Sequence, residues 1–155
     1  IVKIYTDGGI SHVMNVGSFC AILTAENHQQ KVFSGLRQKT TSNRMELFAI
    51  IEGLKALKTK CNAVVYTDSQ YAANSIMLGR AQRWKMNNWT NGDGSKRRAN
   101  WDLFDILLIL CKQHNVNIKW IPRNSHPLQA QCDKQCSGLL ISLNGTKDIE
   151  IDKRN

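Results

Sequence analysis

Apolar and polar positions alternate over Ile1–Thr6, a period of two that predicts a first strand. Phe19–Leu23 and Lys31–Leu36 read as two further strands, hairpin-paired with it. Thr40-Thr41-Ser42-Asn43 stands before a run with the period of an amphipathic helix, continuing to about Lys58. A mostly apolar strand follows at Ala63–Thr67, then a short helix at Ser69–Met77. After a basic stretch containing Asn and Gly, Asn100–Gln113 is helical, Val116–Ile121 a strand and Pro127–Ile141 a last helix. This order predicts an α/β domain built on a mixed sheet, with three antiparallel strands first and two more joined through helical crossovers. From Ser142 onward apolar residues thin out around an Asn144-Gly145 turn. The folded domain is therefore expected over 1–141, and 142–155 as a poorly ordered tail or edge appendage.

Two of these strands end on the same phrase, Tyr5-Thr6-Asp7 and Tyr66-Thr67-Asp68. Side by side in one sheet, their carboxylates would meet at its carboxyl end, where open α/β sheets bind ligands. Like charges forced together repel unless a cation lies between them. Each aspartate also has a plainer reading: Asp7 as the start of a Gly8-Gly9 turn, Asp68 as a helix cap before Ser69-Gln70. Glu46 falls on the Ile50, Gly53, Leu57 stripe of its helix, where a carboxylate is costly unless paired or bound to metal. Alternatively it is the third-position partner of Asn43 in a capping box. Asp133, in a polar helix beside Lys134, says little alone.

At 155 residues and 42% apolar, the chain suits one globular domain with a substantial core. No run approaches the roughly 18 apolar residues of a membrane helix. The opening Ile1-Val2-Lys3 reads as strand and not as a secretory signal; without an initiator Met, the chain is expected to be processed or a domain of a larger polypeptide. Cys20, Cys61, Cys111, Cys132 and Cys136 are scattered and odd in number, which points to reduced thiols in an intracellular, cytoplasmic protein. Cys132, Cys136 and His126 lack an evident fourth ligand, so zinc is not expected.

The formal net charge of +9 is unevenly spread. Between Arg80 and Trp101, Arg80, Arg83, Lys85, Lys96, Arg97 and Arg98 oppose only Asp93, beside Trp84, Trp89 and Trp101. Cations interleaved with flat rings suit a phosphate backbone with its sugars or bases. A solvated basic face with tryptophans turned inward would have the same composition.

Taken together, Tyr5-Thr6-Asp7-Gly8, Thr40-Thr41-Ser42-Asn43-Arg44-Met45-Glu46-Leu47, Thr67-Asp68-Ser69-Gln70-Tyr71, Trp84-Lys85, Trp89, Trp101-Asp102-Leu103, His126-Pro127 and Cys132-Asp133 resemble the ribonuclease H family, in its cellular type 1 branch. The resemblance covers about residues 1–141. It implies a ribonuclease H-like fold, a five-stranded mixed sheet with helices on both faces. It implies an endonuclease that hydrolyses the RNA strand of RNA/DNA hybrids by two-metal-ion catalysis, leaving 5′-phosphate and 3′-hydroxyl ends. Asp7, Glu46, Asp68 and Asp133 fall on the family's acidic positions, as Mg²⁺ ligands with Mn²⁺ as an alternative. Hard oxygen donors suit such ions. Asn43 and Gln70 match minor-groove and ribose contacts, Thr41 a contact to a DNA phosphate. Residues 80–101 correspond to a basic protrusion, with Trp84, Lys85, Trp89, Lys96, Arg97 and Arg98 as substrate-binding candidates. A monomer is expected.

Two stretches depart from the family pattern. Ile10–Gly17 replaces a glycine-rich loop, leaving His12 or Asn15 as stand-ins for its phosphate-contacting asparagine. Arg123 stands where a histidine on a flexible loop is usual, three residues before His126. Arginine cannot shuttle a proton near neutral pH, though its charge can hold a phosphate. A silent hybrid-binding domain on the same fold would have no use for four buried acids, and a transposase or resolvase core would share the acidic plan without the Thr40–Leu47 and Thr67–Tyr71 motifs.

Overall fold

A computed structural model describes residues 1–91 and 95–143 of the chain. The elements are β1 (Val2–Ser11), β2 (Val16–Thr24), β3 (Lys31–Gln38), α1 (Ser42–Lys55), β4 (Asn62–Thr67), α2 (Gln70–Met77), α3 (Arg80–Met86), α4 (Trp101–Gln113), β5 (Asn115–Trp120) and α5 (Pro127–Leu143). The sheet has five strands in the order β3-β2-β1-β4-β5. β1, β2 and β3 form an antiparallel meander, while β4 lies parallel to β1 and β5 parallel to β4. From β1 the chain turns back into β2, whereas from β4 it runs on into α2. The crevice between β1 and β4 is thus a topological switch point.

Strand alternation sorts side chains onto two faces. Ile4, Ala21, Leu23 and Val65 pack with Leu47, Ile50, Ile51 and Leu54 of α1, Ala72 and Ile76 of α2, and Phe104 and Leu107 of α4. On the opposite face Tyr5, Cys20 and Ile22 meet Cys132 and Cys136 of α5. All five cysteines are free thiols. Among the described residues, no helix is long and apolar enough to cross a membrane.

Several local expectations change. β1 does not turn at Gly8-Gly9; it continues to Ser11, because Asp7 through Ser11 stay paired with Cys20 through Val16. Gly8 serves close approach instead: a Cβ there would lie 2.6 Å from the Glu46 backbone nitrogen, so only glycine lets α1 come this near β1. The cap of α1 is Thr41, whose Oγ1 accepts from Arg44 N at 3.2 Å, so Asn43 and Glu46 form no capping box. The helix stops at Lys55, short of Lys58. Helix α3 falls in the stretch with no predicted element, because its seven residues bury only Ala81 and so carry no apolar period. At the C-terminus α5 runs on through Ser142 and Leu143, and the tail with its Asn144-Gly145 turn lies outside the described residues.

Arg44 forms a two-pronged pair with Asp102, at 2.9 and 2.8 Å, which ties the start of α1 to the start of α4. The guanidinium holds the Asp102 carboxyl below its ordinary value. These residues of the sequence motifs work in architecture, not chemistry.

Candidate metal centre

The register Tyr5↔Tyr66 sets the two Tyr-Thr-Asp phrases in step, so Asp7, within β1, and Asp68, just past the end of β4, stand at the same level. Asp68 is not spent as a cap, because Ser69 Oγ takes that place by accepting from Ala72 N at 3.1 Å. Glu46, one turn into α1, enters over Gly8. One ligand oxygen from each of Asp7, Glu46 and Asp68 lies within 4.8 Å of the others. Asp133 of α5 lines the same cleft of about 350 Å³ but stands outside that triad. Its Oδ1 accepts instead from Arg123 Nη2 at 3.3 Å.

Burial, then the charges of Asp68 and Asp133, push the Asp7 carboxyl up to about 7. Glu46 is raised by burial first and by Asp7 and Asp68 next. Asp68 is raised by burial, against the opposing effects of a hydrogen bond with Glu46 and the Arg123 charge. At an effective dielectric of about 20, each ionised pair this close repels by on the order of 3 kcal/mol. Glu46 Oε2 is buried with no hydrogen-bond partner among the described residues. An orphaned buried carboxylate oxygen among like charges fits a hard divalent cation, which would satisfy it and hold all three groups ionised.

The other candidates fall into three groups. Thr41, Asn43 and Gln70 are exposed at the first turns of α1 and α2, flanking Glu46 and Asp68. Lys96, Arg97 and Arg98 are exposed, with Arg97 stacked 4.1 Å from the Trp101 ring centre and Arg98 5.0 Å from that of Trp84. Arg98 also donates to Asn91 Oδ1 at 2.7 Å. Lys85 is paired with Asp105 at 2.8 Å. Asp93 lies outside the described residues.

Trp84 is half-buried and packs edge-on against Phe104. Trp89 must be withdrawn as a substrate contact: it is 5% exposed, closed over by Trp101, and belongs to the core. His12 and Asn15 are exposed in the hairpin between β1 and β2, where Asn15 has φ of 52° and its carbonyl accepts from Lys39 N.

The segment from Ile121 to His126 is pinned at several points. Ile121 N donates to Thr67 O, Ser125 N to Pro122 O, and Asn124 N to Gln129 Oε1. His126 stacks on Tyr5 with ring centres 4.4 Å apart, and Tyr5 in turn on Tyr66. Its Nδ1 accepts from Leu128 N, which puts the neutral ring's proton on Nε2, beside Tyr5 Oη at 3.3 Å. His126 therefore begins α5 and is engaged on both nitrogens. Arg123 keeps its side chain 69% exposed at the cleft. Sequence reasoning missed Gln129, which bonds Asp68; a glutamine in a polar helix gives no signal.

A mixed five-stranded sheet with acids gathered at its β1/β4 crevice is the arrangement of a ribonuclease H-like fold. The RNase H family model matches residues 1–137, and the chain belongs to that family. It is 40% identical to a ribonuclease H of Desulforamulus reducens over 134 residues, covering 86% of this chain and 83% of that protein. To one of Caldicellulosiruptor saccharolyticus it is 43% identical over 134 residues, 86% of this chain and 91% of the other. In fold it resembles the crystal structure of LC11-RNase H1 in complex with RNA/DNA hybrid, with a TM-score of 0.69 at 18% identity over 93% of this chain and 99% of that one.

Proposed function

We propose that this chain is an endoribonuclease that hydrolyses the RNA strand of RNA/DNA hybrids with Mg²⁺ or Mn²⁺, leaving 5′-phosphate and 3′-hydroxyl ends. The observation that carries this reading is the Asp7, Glu46, Asp68 triad with its unpartnered Glu46 Oε2. Family membership supports it, as does the hybrid bound by LC11-RNase H1. Asp7, Glu46 and Asp68 would hold a first cation, and Asp133, with Asp7, a second. Such ions would supply an activated water and counter-charge for the departing 3′ oxygen.

The chain's own residues do the rest. Asn43 and Gln70 reach the ribose 2′-hydroxyl with amides that both donate and accept, which is how RNA is told from DNA. Thr41 accepts from Arg44 N and keeps its own hydroxyl proton to donate to a phosphate. Lys96, together with Arg97 and Arg98 braced on tryptophan faces, holds the DNA backbone. Arg123 holds Asp133 until substrate arrives and then has a phosphate oxygen as an alternative partner. One copy of the chain supplies every acid, so a monomer suffices. Five free thiols suit a reducing, intracellular setting.

Cleavage assays on matched RNA/DNA, RNA/RNA and DNA/DNA duplexes test the reading. Mg²⁺-dependent cutting of the RNA in the hybrid alone is expected; binding without cutting, or cutting of DNA/DNA, contradicts it.

A further inference from the structure

Gln129 is a polar side chain with no solvent exposure, in the first turn of α5. Its Oε1 accepts from Asn124 N at 2.6 Å. That bond fixes the orientation of the amide, because a backbone N–H can meet only the carbonyl end. The amide end is thereby turned toward the acids, where Nε2 donates to Asp68 Oδ2 at 3.3 Å. Asn124 directly follows Arg123, whose guanidinium reaches Asp133. One buried side chain thus joins the loop that bears Arg123 to a carboxylate of the triad.

We infer that Gln129 is a positioning residue for hydrolysis, one that holds Asp68 through Oδ2 and registers the 122–126 loop against the same carboxylate. The inference rests on the metal reading above. The bond at Oδ2 restrains the rotation of the Asp68 carboxylate and so the direction in which it meets a cation. A neutral amide suits this place better than any charged group. Lysine or arginine would neutralise Asp68 and compete with the cation, and glutamate would add one more negative charge to a crowded cluster. Arg123 is also served, because a fixed Asn124 fixes the starting point of the preceding side chain. The loop is then a stay between β4 and α5 and not a free flap.

Magnetic resonance of the labelled wild-type chain, titrated with Mg²⁺ without substrate, tests this. The Gln129 side-chain amide protons should shift along the same isotherm as the carboxyl carbons of Asp7, Glu46 and Asp68, while those of exposed Gln29 stay still. Carboxyl carbons that shift while Gln129 does not would overturn the inference and leave the metal reading intact. If no carboxyl carbon shifts, the metal reading fails and the inference falls with it.

Gln129→Leu, of similar size, should lower kcat about 10- to 100-fold, the scale of a small misplacement at a reacting centre. Its KM for hybrid should stay within about twofold, since Gln129 faces no substrate. The Asn124 amide should exchange faster. Gln129→Asn, one methylene shorter, retains one of the two bonds and should fall between. An unchanged kcat beside a lowered Tm would mark Gln129 as filler and overturn the inference. The wild-type titration decides the matter even if Gln129→Leu does not fold.

Discussion

The β1/β4 crevice and the basic segment from Arg80 to Trp101 carry charge in opposite ways. In the crevice, acids from three elements face one another, one oxygen is orphaned and the Asp7 carboxyl is pushed up to about 7. In the basic segment the charges are supported: Arg97 rests on Trp101, Arg98 on Trp84 and Asn91, and Lys85 on Asp105. The crevice holds a repulsion that a small cation would relieve. In the proposed reading, the basic segment holds its cations in place for an outside polyanion. On the proposed reading, crowded and unsatisfied charge serves chemistry, and braced and exposed charge serves binding.

Substitutions in the two regions should accordingly fail in different ways. The largest effect is expected for Asp68→Asn, which keeps shape but removes a ligand charge. Cleavage should fall by several orders of magnitude while hybrid binding persists. A variant retaining more than about a tenth of the wild-type rate at saturating Mg²⁺ would break the assignment of the crevice to catalysis. Replacing Lys96, Arg97 and Arg98 with alanine should do the reverse. Hybrid affinity should weaken, and the log–log salt slope should lose about one unit per phosphate contact removed, with turnover at saturation little changed. An unaltered slope would show that this cluster touches no phosphate.

Arg123→His sharpens the boundary between the regions, because Arg123 is a cation standing among the acids. Imidazole can release a proton and guanidinium cannot, so kcat should rise about 3- to 30-fold, below the 10²–10⁴ of a full general acid–base. His126→Ala should mainly lower Tm, since His126 caps α5 and stacks on Tyr5. No change in kcat for Arg123→His together with its collapse in His126→Ala would reverse the two roles.

The smallest effect is a pH dependence of stability. The folded Asp7 carboxyl titrates near 7, above its ordinary value of 3.8. The folded state therefore binds more protons than the unfolded one between these values, and metal-free stability from this group falls as pH rises through that window. Asp7→Asn has no such loss. In EDTA it should be more stable than wild type above pH 7, with the gap closing toward pH 4. Denaturant melts at three pH values check this, and a constant gap would mean that Asp7 ionises freely.

The two regions also differed in how much the sequence disclosed. The sheet was legible because strand periods and the Tyr-Thr-Asp echo are local signals, and the parallel register then set Asp7 beside Asp68 without further help. Glu46 needed the capping question settled, which turned on Thr41 and on the space over Gly8, neither visible as periodicity. In the basic segment, composition alone could not say which tryptophans face solvent. Trp89 is buried through contacts with Trp101 in α4, a tertiary fact. Gln129 was silent for the same reason, since its two partners come from the loop before α5 and from the residue after β4.

A crystal of the chain with uncleavable RNA/DNA hybrid and Mn²⁺, measured at an anomalous wavelength, tests the central claim most directly. An anomalous peak ligated by Asp7, Glu46 and Asp68 and touching the RNA strand's phosphate is the expected result. Hybrid bound with no ion among those three side chains, or an ion held only elsewhere, would contradict it.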